Sequence, residues 1–93
     1  MANNRFGVRE VNESIMINEK DVFIVCNTTK NIDVRLVTAN GTLNFYYIKN
    51  IGTGVVSVLP DCVDTIDGAT GDTLLQNDAI CIVDFTKGKW IKP

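Results

Sequence analysis

Chemistry in this chain would have to come from its aspartates, which are concentrated in one short stretch. Asp61, Asp64 and Asp67 recur at every third position, and Asp72 follows them. Carboxylate oxygens on a loop are acceptable calcium ligands, but a calcium loop places them at alternate positions. Two of them could form an acid–base pair only if they faced one cleft at about 5–10 Å. We expect each aspartate to cap amides of a neighbouring turn instead, and we predict no catalytic residue and no metal site.

The other reactive residue types are few. The chain has no histidine, which removes the commonest general base and zinc ligand. Its cysteines, Cys26, Cys62 and Cys81, are widely spaced and lie in or beside apolar runs, so we expect buried, reduced thiols. The Gly-Thr-Gly at residues 52–54 is too short for a phosphate loop and predicts a hairpin turn. We therefore expect neither enzymatic activity nor a cofactor.

Size and charge exclude further classes. A chain of 93 residues is long enough for one domain. Nine basic and eleven acidic residues leave a net charge of −2, so no basic surplus is present to neutralise nucleic-acid phosphates. No apolar run approaches the roughly 20 residues that span a bilayer, and the first residues lack the apolar core of a signal peptide. We expect no nucleic-acid partner and no membrane.

The pattern along the chain has a period of two, which is typical of strands. Residues 32–36 alternate apolar and charged side chains. Turn signals, including Asn-Gly at 40–41 and Asp-Gly at 67–68, recur about every 8–12 residues. This spacing predicts an all-β domain over residues 14–93, either a compact antiparallel β-sandwich or a jelly-roll-like barrel, whose core Trp90 closes at one end.

Residues 1–13 differ from the rest because they are polar and weakly patterned. They predict either an irregular N-terminal arm or an edge strand. An arm of this kind can become ordered when it docks on another protein. The docking candidates combine apolar anchors with two basic residues, namely Arg5, Phe6, Val8, Arg9 and Val11.

Several strands carry apolar side chains on both faces, as residues 22–26 and 80–83 illustrate. A two-layer domain of this size does not bury both faces of such strands alone. The second face must be covered by another sheet or by another copy of the chain. The candidates for a subunit interface are Phe23, Val25, Tyr46, Cys81 and Val83.

One ordered series of motifs resembles a known family. The block FYYIKNIGTGVVSVLP at residues 45–60 is followed by TIDG at 65–68 and by GKWI at 88–91. This combination resembles β domains of bacteriophage head-fibre and tail-fibre proteins, and the resemblance covers about residues 14–92. Two departures are a Leu-Val-Thr at 36–38 where the family often has Leu-Pro, and a longer loop before Trp90.

The resemblance implies a virion structural protein, typically a homotrimer. No shaft of repeats accompanies the domain, so the more specific expectation is a small capsid decoration (auxiliary head) protein. Such a protein folds in the host cytoplasm, docks on the major capsid protein through residues 1–13 and stabilises the capsid from its surface. The alternative is a tail-fibre or receptor-binding module that recognises host surface glycans.

Overall fold

The strands of this chain alternate between two facing sheets. A computed structural model describes residues 7–93, and in that range the strands are β1 (Val8–Val11), β2 (Ile15–Met16), β3 (Phe23–Cys26), β4 (Ile32–Arg35), β5 (Phe45–Asn50), β6 (Val56–Leu59), β7 (Thr65–Ile66), β8 (Asp72–Leu74), β9 (Ala79–Thr86) and β10 (Lys89–Ile91). The larger sheet has the order β1-β3-β5-β9-β10-β7, and the smaller has the order β2-β4-β6-β8. The prediction of an all-β sandwich is confirmed.

The first six strands form three stacked turns of a coil, each with one strand in either sheet. In the larger sheet Val8, Phe23 and Tyr47 are register partners on parallel strands. In the smaller sheet Ile15 and Val34 are partners in the same way. Parallel neighbours cannot be joined by a tight hairpin, and here the chain returns through the opposite sheet.

The pairing is therefore mixed rather than antiparallel. Among residues 7–93 five strand pairings are parallel and three are antiparallel. Alternation of apolar and polar residues identifies the buried face of a strand, but it carries no information about the direction of the neighbouring strand. The expectation of an antiparallel sandwich was wrong for this reason.

The last strands close the coil with antiparallel pairs. β9 pairs with β5, and β8 pairs with β6. Before them, Asp67 and Gly68 have φ values of 50° and 83°, and Ile66 and Ala69 exchange backbone hydrogen bonds of 2.9 and 2.8 Å across this turn. Positive φ at both central positions is the requirement of a type I′ turn, which the Asp-Gly pair predicts.

The core fills the space between the sheets. Its side chains come from alternate positions of the strands, so that Ile24 of β3 and Ile82 of β9 both point inward and are fully buried. Trp90 is also buried and lies against Tyr46, with ring centroids 5.8 Å apart. The prediction that Trp90 packs in the core is confirmed.

The corners that join the two sheets stack on one another at one end. The backbone N–H of Gly54 donates to the carbonyl of Thr28, at 2.9 Å. A Cβ on Gly54 would overlap the carbonyl of Lys30. The fully buried Asn50 holds the corner between β5 and β6, because its amide donates to the carbonyls of Gly54 and Leu74. The predicted hairpin at residues 52–54 was wrong, since β5 and β6 lie in different sheets.

Candidate functional site: the outer face of the larger sheet

The outer face of the six-stranded sheet carries apolar side chains in register. One row crosses four strands and consists of Val8, Phe23, Tyr47 and Cys81. A second row crosses three strands and consists of Phe45, Val83 and Ile91. Inward-facing residues alternate with these and fill the core, so this part of the sheet is apolar on both faces. We call the seven residues of these two rows the outer apolar face. The neighbouring outward row is mixed and consists of Glu10, Val25, Lys49 and Ala79.

Three aromatic rings dominate the outer apolar face. Phe23 is 36% exposed, Tyr47 44% and Phe45 49%. The rings of Phe23 and Tyr47 stack with centroids 6.0 Å apart, and Phe45 meets Tyr47 edge-on at 5.8 Å. Phe23 and Tyr47 lie on adjacent strands, and Phe45 and Tyr47 lie on one face of β5, so the three rings form one continuous surface.

The outer face of the smaller sheet has a different character. Its central row is polar and consists of Asp33, Ser57 and Thr73. Arg35 lies beside this row, 3.7 Å from Asp33 and exposed to solvent. A sheet with one face in water shows this alternation of apolar and polar residues. Apolar side chains reach this face too, since exposed Met16 and half-buried Leu59 are the register partners of Arg35, but the contacting aromatic rings described above lie on the larger sheet.

Four of the five interface candidates lie on or beside the outer apolar face. Phe23, Cys81 and Val83 belong to it, and half-buried Val25 is on the same side of β3. The prediction for Tyr46 was wrong: Tyr46 is only 2% exposed and packs in the core. Two residues that sequence reasoning missed, Phe45 and Tyr47, take its place. The alternation through β5 puts Phe45 and Tyr47 on one face and Tyr46 and Ile48 on the other, but it does not say which pair points inward.

The docking candidates among residues 1–13 differ in whether they are exposed. Arg5 and Phe6 lie outside the described residues. Val8 is exposed on β1, which is an edge strand of the larger sheet, as the second of the two alternatives predicted. Val11 is buried in the core, so it is not available as a docking contact.

Arg9 is engaged within the domain as well. Its guanidinium donates to the buried carboxylate of Asp21 at 2.9 Å. The same carboxylate accepts a hydrogen bond from the backbone N–H of Asn18. Arg9 therefore ties β1 to the turn before β3, which leaves Val8 as the exposed candidate of β1.

The clustered aspartates stabilise loops, but Asp61 and Asp64 accept from residues more than 20 positions away, so the expectation that each caps amides of a neighbouring turn was wrong for them. Asp61 accepts from the hydroxyl of Thr38 at 2.6 Å, and Asp64 accepts from the backbone of Ala39 at 2.9 Å. Asp72 accepts from the Lys92 ammonium at 3.0 Å. This hydrogen bond lowers the pKa of Asp72 and raises the pKa of Lys92. Residues 7–93 contain no group of three or more side chains placed to hold a metal ion.

One further aspartate, Asp84, was not among the candidates. It is buried, and its carboxylate accepts from the backbone N–H groups of Asn40 and Gly41, at 2.8 and 2.7 Å. The hydroxyl of Thr42 donates to its second oxygen at 2.8 Å. Asp84 thereby holds the loop between β4 and β5 against β9. An aspartate inside an apolar strand is the signal that could have identified it.

The three cysteines lie in three environments. Cys26 is fully buried, and burial raises the pKa of its thiol to about 11. Cys81 is half-buried on the outer apolar face. Cys62 is exposed, contrary to the expectation that all three are buried. Its φ of 43° places it in a tight turn between β6 and β7, which prevents it from extending an apolar strand.

Comparison with family models, curated proteins and solved structures gave no match. No helix among residues 7–93 has the length and apolar character needed to cross a bilayer.

Proposed function

We propose that this chain is a bacteriophage virion structural protein, a homotrimeric capsid decoration protein that assembles through the outer apolar face and stabilises the capsid shell. The observation that carries the proposal is the exposure of Phe23, Phe45 and Tyr47 side by side on a sheet whose other face is already the core. The polar central row of the smaller sheet gives the contrast. A surface of this kind is typical of an interface between subunits.

The energy available from this face supports self-association. Each ring has roughly 200 Å² of surface, and about two-fifths of it is exposed, so the three rings expose about 250 Å². At about 25 cal/mol per Å², their burial contributes about 6 kcal/mol per subunit. Association costs about 4–15 kcal/mol in lost freedom of motion. The free energy from burying the three rings reaches the lower part of this range. Burial of Val8, Val83 and Ile91 in the same contact adds to that free energy.

The phage assignment is supported by the sequence resemblance, which spans residues 45–60 and continues through 65–68 and 88–91. A trimer is the usual assembly of the family that the chain resembles. The role is mechanical: each trimer would sit where capsid subunits meet and hold them together. The major capsid protein is the proposed partner, and Arg5 and Phe6 are the proposed contacts with it, whereas Val8 belongs to the outer apolar face.

Binding to emptied capsids of the parent phage tests the proposal. The purified protein should sediment with the capsids, and a variant with both Arg5→Ala and Phe6→Ala should bind at least tenfold more weakly. Unchanged thermal unfolding of this variant would show that its domain is still folded. Arg35→Ala, on the polar face of the smaller sheet, is the matched control and should bind normally.

Absence of capsid binding would overturn the proposal. If the protein bound host cell walls instead, the tail-fibre or receptor-binding alternative would replace it.

A further inference from the structure

A polar cleft lies away from the outer apolar face, between the turn that follows β2 and the loop that joins β4 to β5. Its volume is about 560 Å³, which is within the range of small-molecule sites. The side chains that give it its chemistry are Asn18, Glu19, Asn40, Thr42, Asn44 and Tyr46. Nothing in the assembly proposed above uses this cleft.

Tyr46 connects the cleft with the core. Its ring is 2% exposed and packs against Trp90, yet the residue also lines the cleft. The amide of Asn44 lies beside its hydroxyl. Burial raises the pKa of Tyr46, and the negative charges of Asp84 and Glu19 raise it further. The phenol is therefore a neutral hydroxyl, able to donate and to accept a hydrogen bond at the floor of the cleft.

Other polar groups of the cleft have hydrogen-bonding capacity to spare. Glu19 and Asn40 are exposed in the cleft, and within residues 7–93 neither side chain is hydrogen-bonded to the protein, so both are open to water or to a ligand. The carboxylate of Asp84 is less available to a ligand, because it already accepts three hydrogen bonds from the loop. A planar carboxylate and planar amides around a phenol offer donors and acceptors from several directions.

The charge of the cleft selects among polar ligands. Glu19 and Asp84 line it, and no lysine or arginine of the described chain does. An anion such as a phosphate would be repelled from this site. The charge alone does not distinguish a neutral molecule from a cation, but the amides and the phenol of the cleft match an uncharged molecule with many hydroxyl groups.

We propose that this cleft binds a neutral sugar, with Tyr46, Glu19 and Asn40 as its hydrogen-bonding residues. The cleft is open to solvent, so a single monosaccharide binds weakly, with a Kd of about 1–10 mM. Occupation of the cleft is independent of self-association, because its residues and the outer apolar face do not overlap.

Saturation-transfer NMR on the intact protein with glucose, galactose and N-acetylglucosamine tests the proposal. At least one of these sugars should receive saturation and show a saturable dose dependence. Tyr46→Phe removes only the hydroxyl and keeps the ring against Trp90, and it should weaken that binding about three- to tenfold. Tyr47→Phe is the matched control, since it makes the same change on the outer apolar face, and it should bind like the natural chain.

Two results would overturn the sugar site: no saturation of any of the three sugars, or equal affinities for the Tyr46→Phe variant and the natural chain. Glucuronate extends the test to charge and should bind more weakly than glucose; stronger binding would contradict the site as described. Tyr46→Phe should leave the oligomeric mass unchanged. A failure of the sugar site is therefore distinguishable from a failure of the proposed assembly.

Discussion

Phe23 of β3 and Tyr47 of β5 are register partners on parallel strands, and their rings stack on the outside of the larger sheet with centroids 6.0 Å apart. The two residues belong to successive turns of the coil, so the winding of the chain brings them together. Because each ring holds its neighbour, the surface is organised before any partner arrives. Preorganisation of this kind reduces the cost of association.

Cys81 provides a chemical probe of this surface. It lies next to Tyr47 in the same row, whereas Cys62 is exposed in the turn between β6 and β7. We expect modification of Cys81 by a thiol reagent to slow as protein concentration rises, because assembly covers it, while Cys62 reacts at a constant rate. Mass spectrometry of labelled peptides would measure both rates in one sample. A Cys81 rate that does not depend on concentration would count against burial of this face.

The stacking of the corners predicts unequal effects of two glycine substitutions. Gly54→Ala places a methyl group against the backbone of Lys30, so we expect a loss of more than about 3 kcal/mol in unfolding free energy, or no folding at all. Gly68→Ala meets open space and suffers only from the φ of 83°, which costs about 1–2 kcal/mol. Urea denaturation compares the two. Equal losses would mean that the corners are not in close contact.

Because the buried carboxylate of Asp84 holds the loop between β4 and β5, we expect its removal to lower the stability of the domain strongly. Asp84→Ala removes three hydrogen bonds and should lower the unfolding free energy by about 2–4 kcal/mol. Asp61→Ala is the control, because it removes one hydrogen bond to an exposed threonine and should cost less than about 1 kcal/mol. Chemical denaturation of both variants is the measurement, and a control as destabilised as Asp84→Ala would refute the special role of Asp84.

Burial of Cys26 predicts a loss of stability in alkali. Its pKa in the folded protein is about 11, above that of an unfolded thiol, so folding favours the protonated form. The contribution is complete below the unfolded pKa and is lost as pH rises towards 11. Unfolding free energies at pH 8 and pH 10.5 should therefore fall less steeply in Cys26→Ala than in Cys62→Ala, which keeps the buried thiol. Identical slopes would contradict this assignment.

Much of the secondary structure could be predicted from local patterns. Alternation at residues 32–36 matches the buried and exposed positions of β4, and the Asp-Gly pair at 67–68 matches a tight turn. These features depend on side-chain direction and on allowed φ values, which neighbouring residues determine. The coil could not be predicted in the same way, because parallel pairing joins residues such as Ile32 and Val56 that no short pattern connects.

The candidate surface could be predicted only in part. Both faces of β5 are apolar, so Tyr46 and Tyr47 are equivalent in the sequence, and the tertiary packing of Tyr46 against Trp90 distinguishes them. Val11 has the same ambiguity, since an apolar residue near the terminus can serve either an interface or the core. The choice depends on contacts between distant strands, which burial in the folded structure reveals.

Sedimentation velocity of the purified protein at micromolar concentration tests the central claim most directly, with Tyr47→Glu as the disrupting variant. Thr73→Glu, on the outer face of the smaller sheet, is the control. The account predicts a mass of three chains for the natural protein and for Thr73→Glu, and a folded single chain for Tyr47→Glu, because a buried unpaired carboxylate is costly. A natural protein that sediments as one chain, or a Tyr47→Glu variant that assembles like it, would contradict the account.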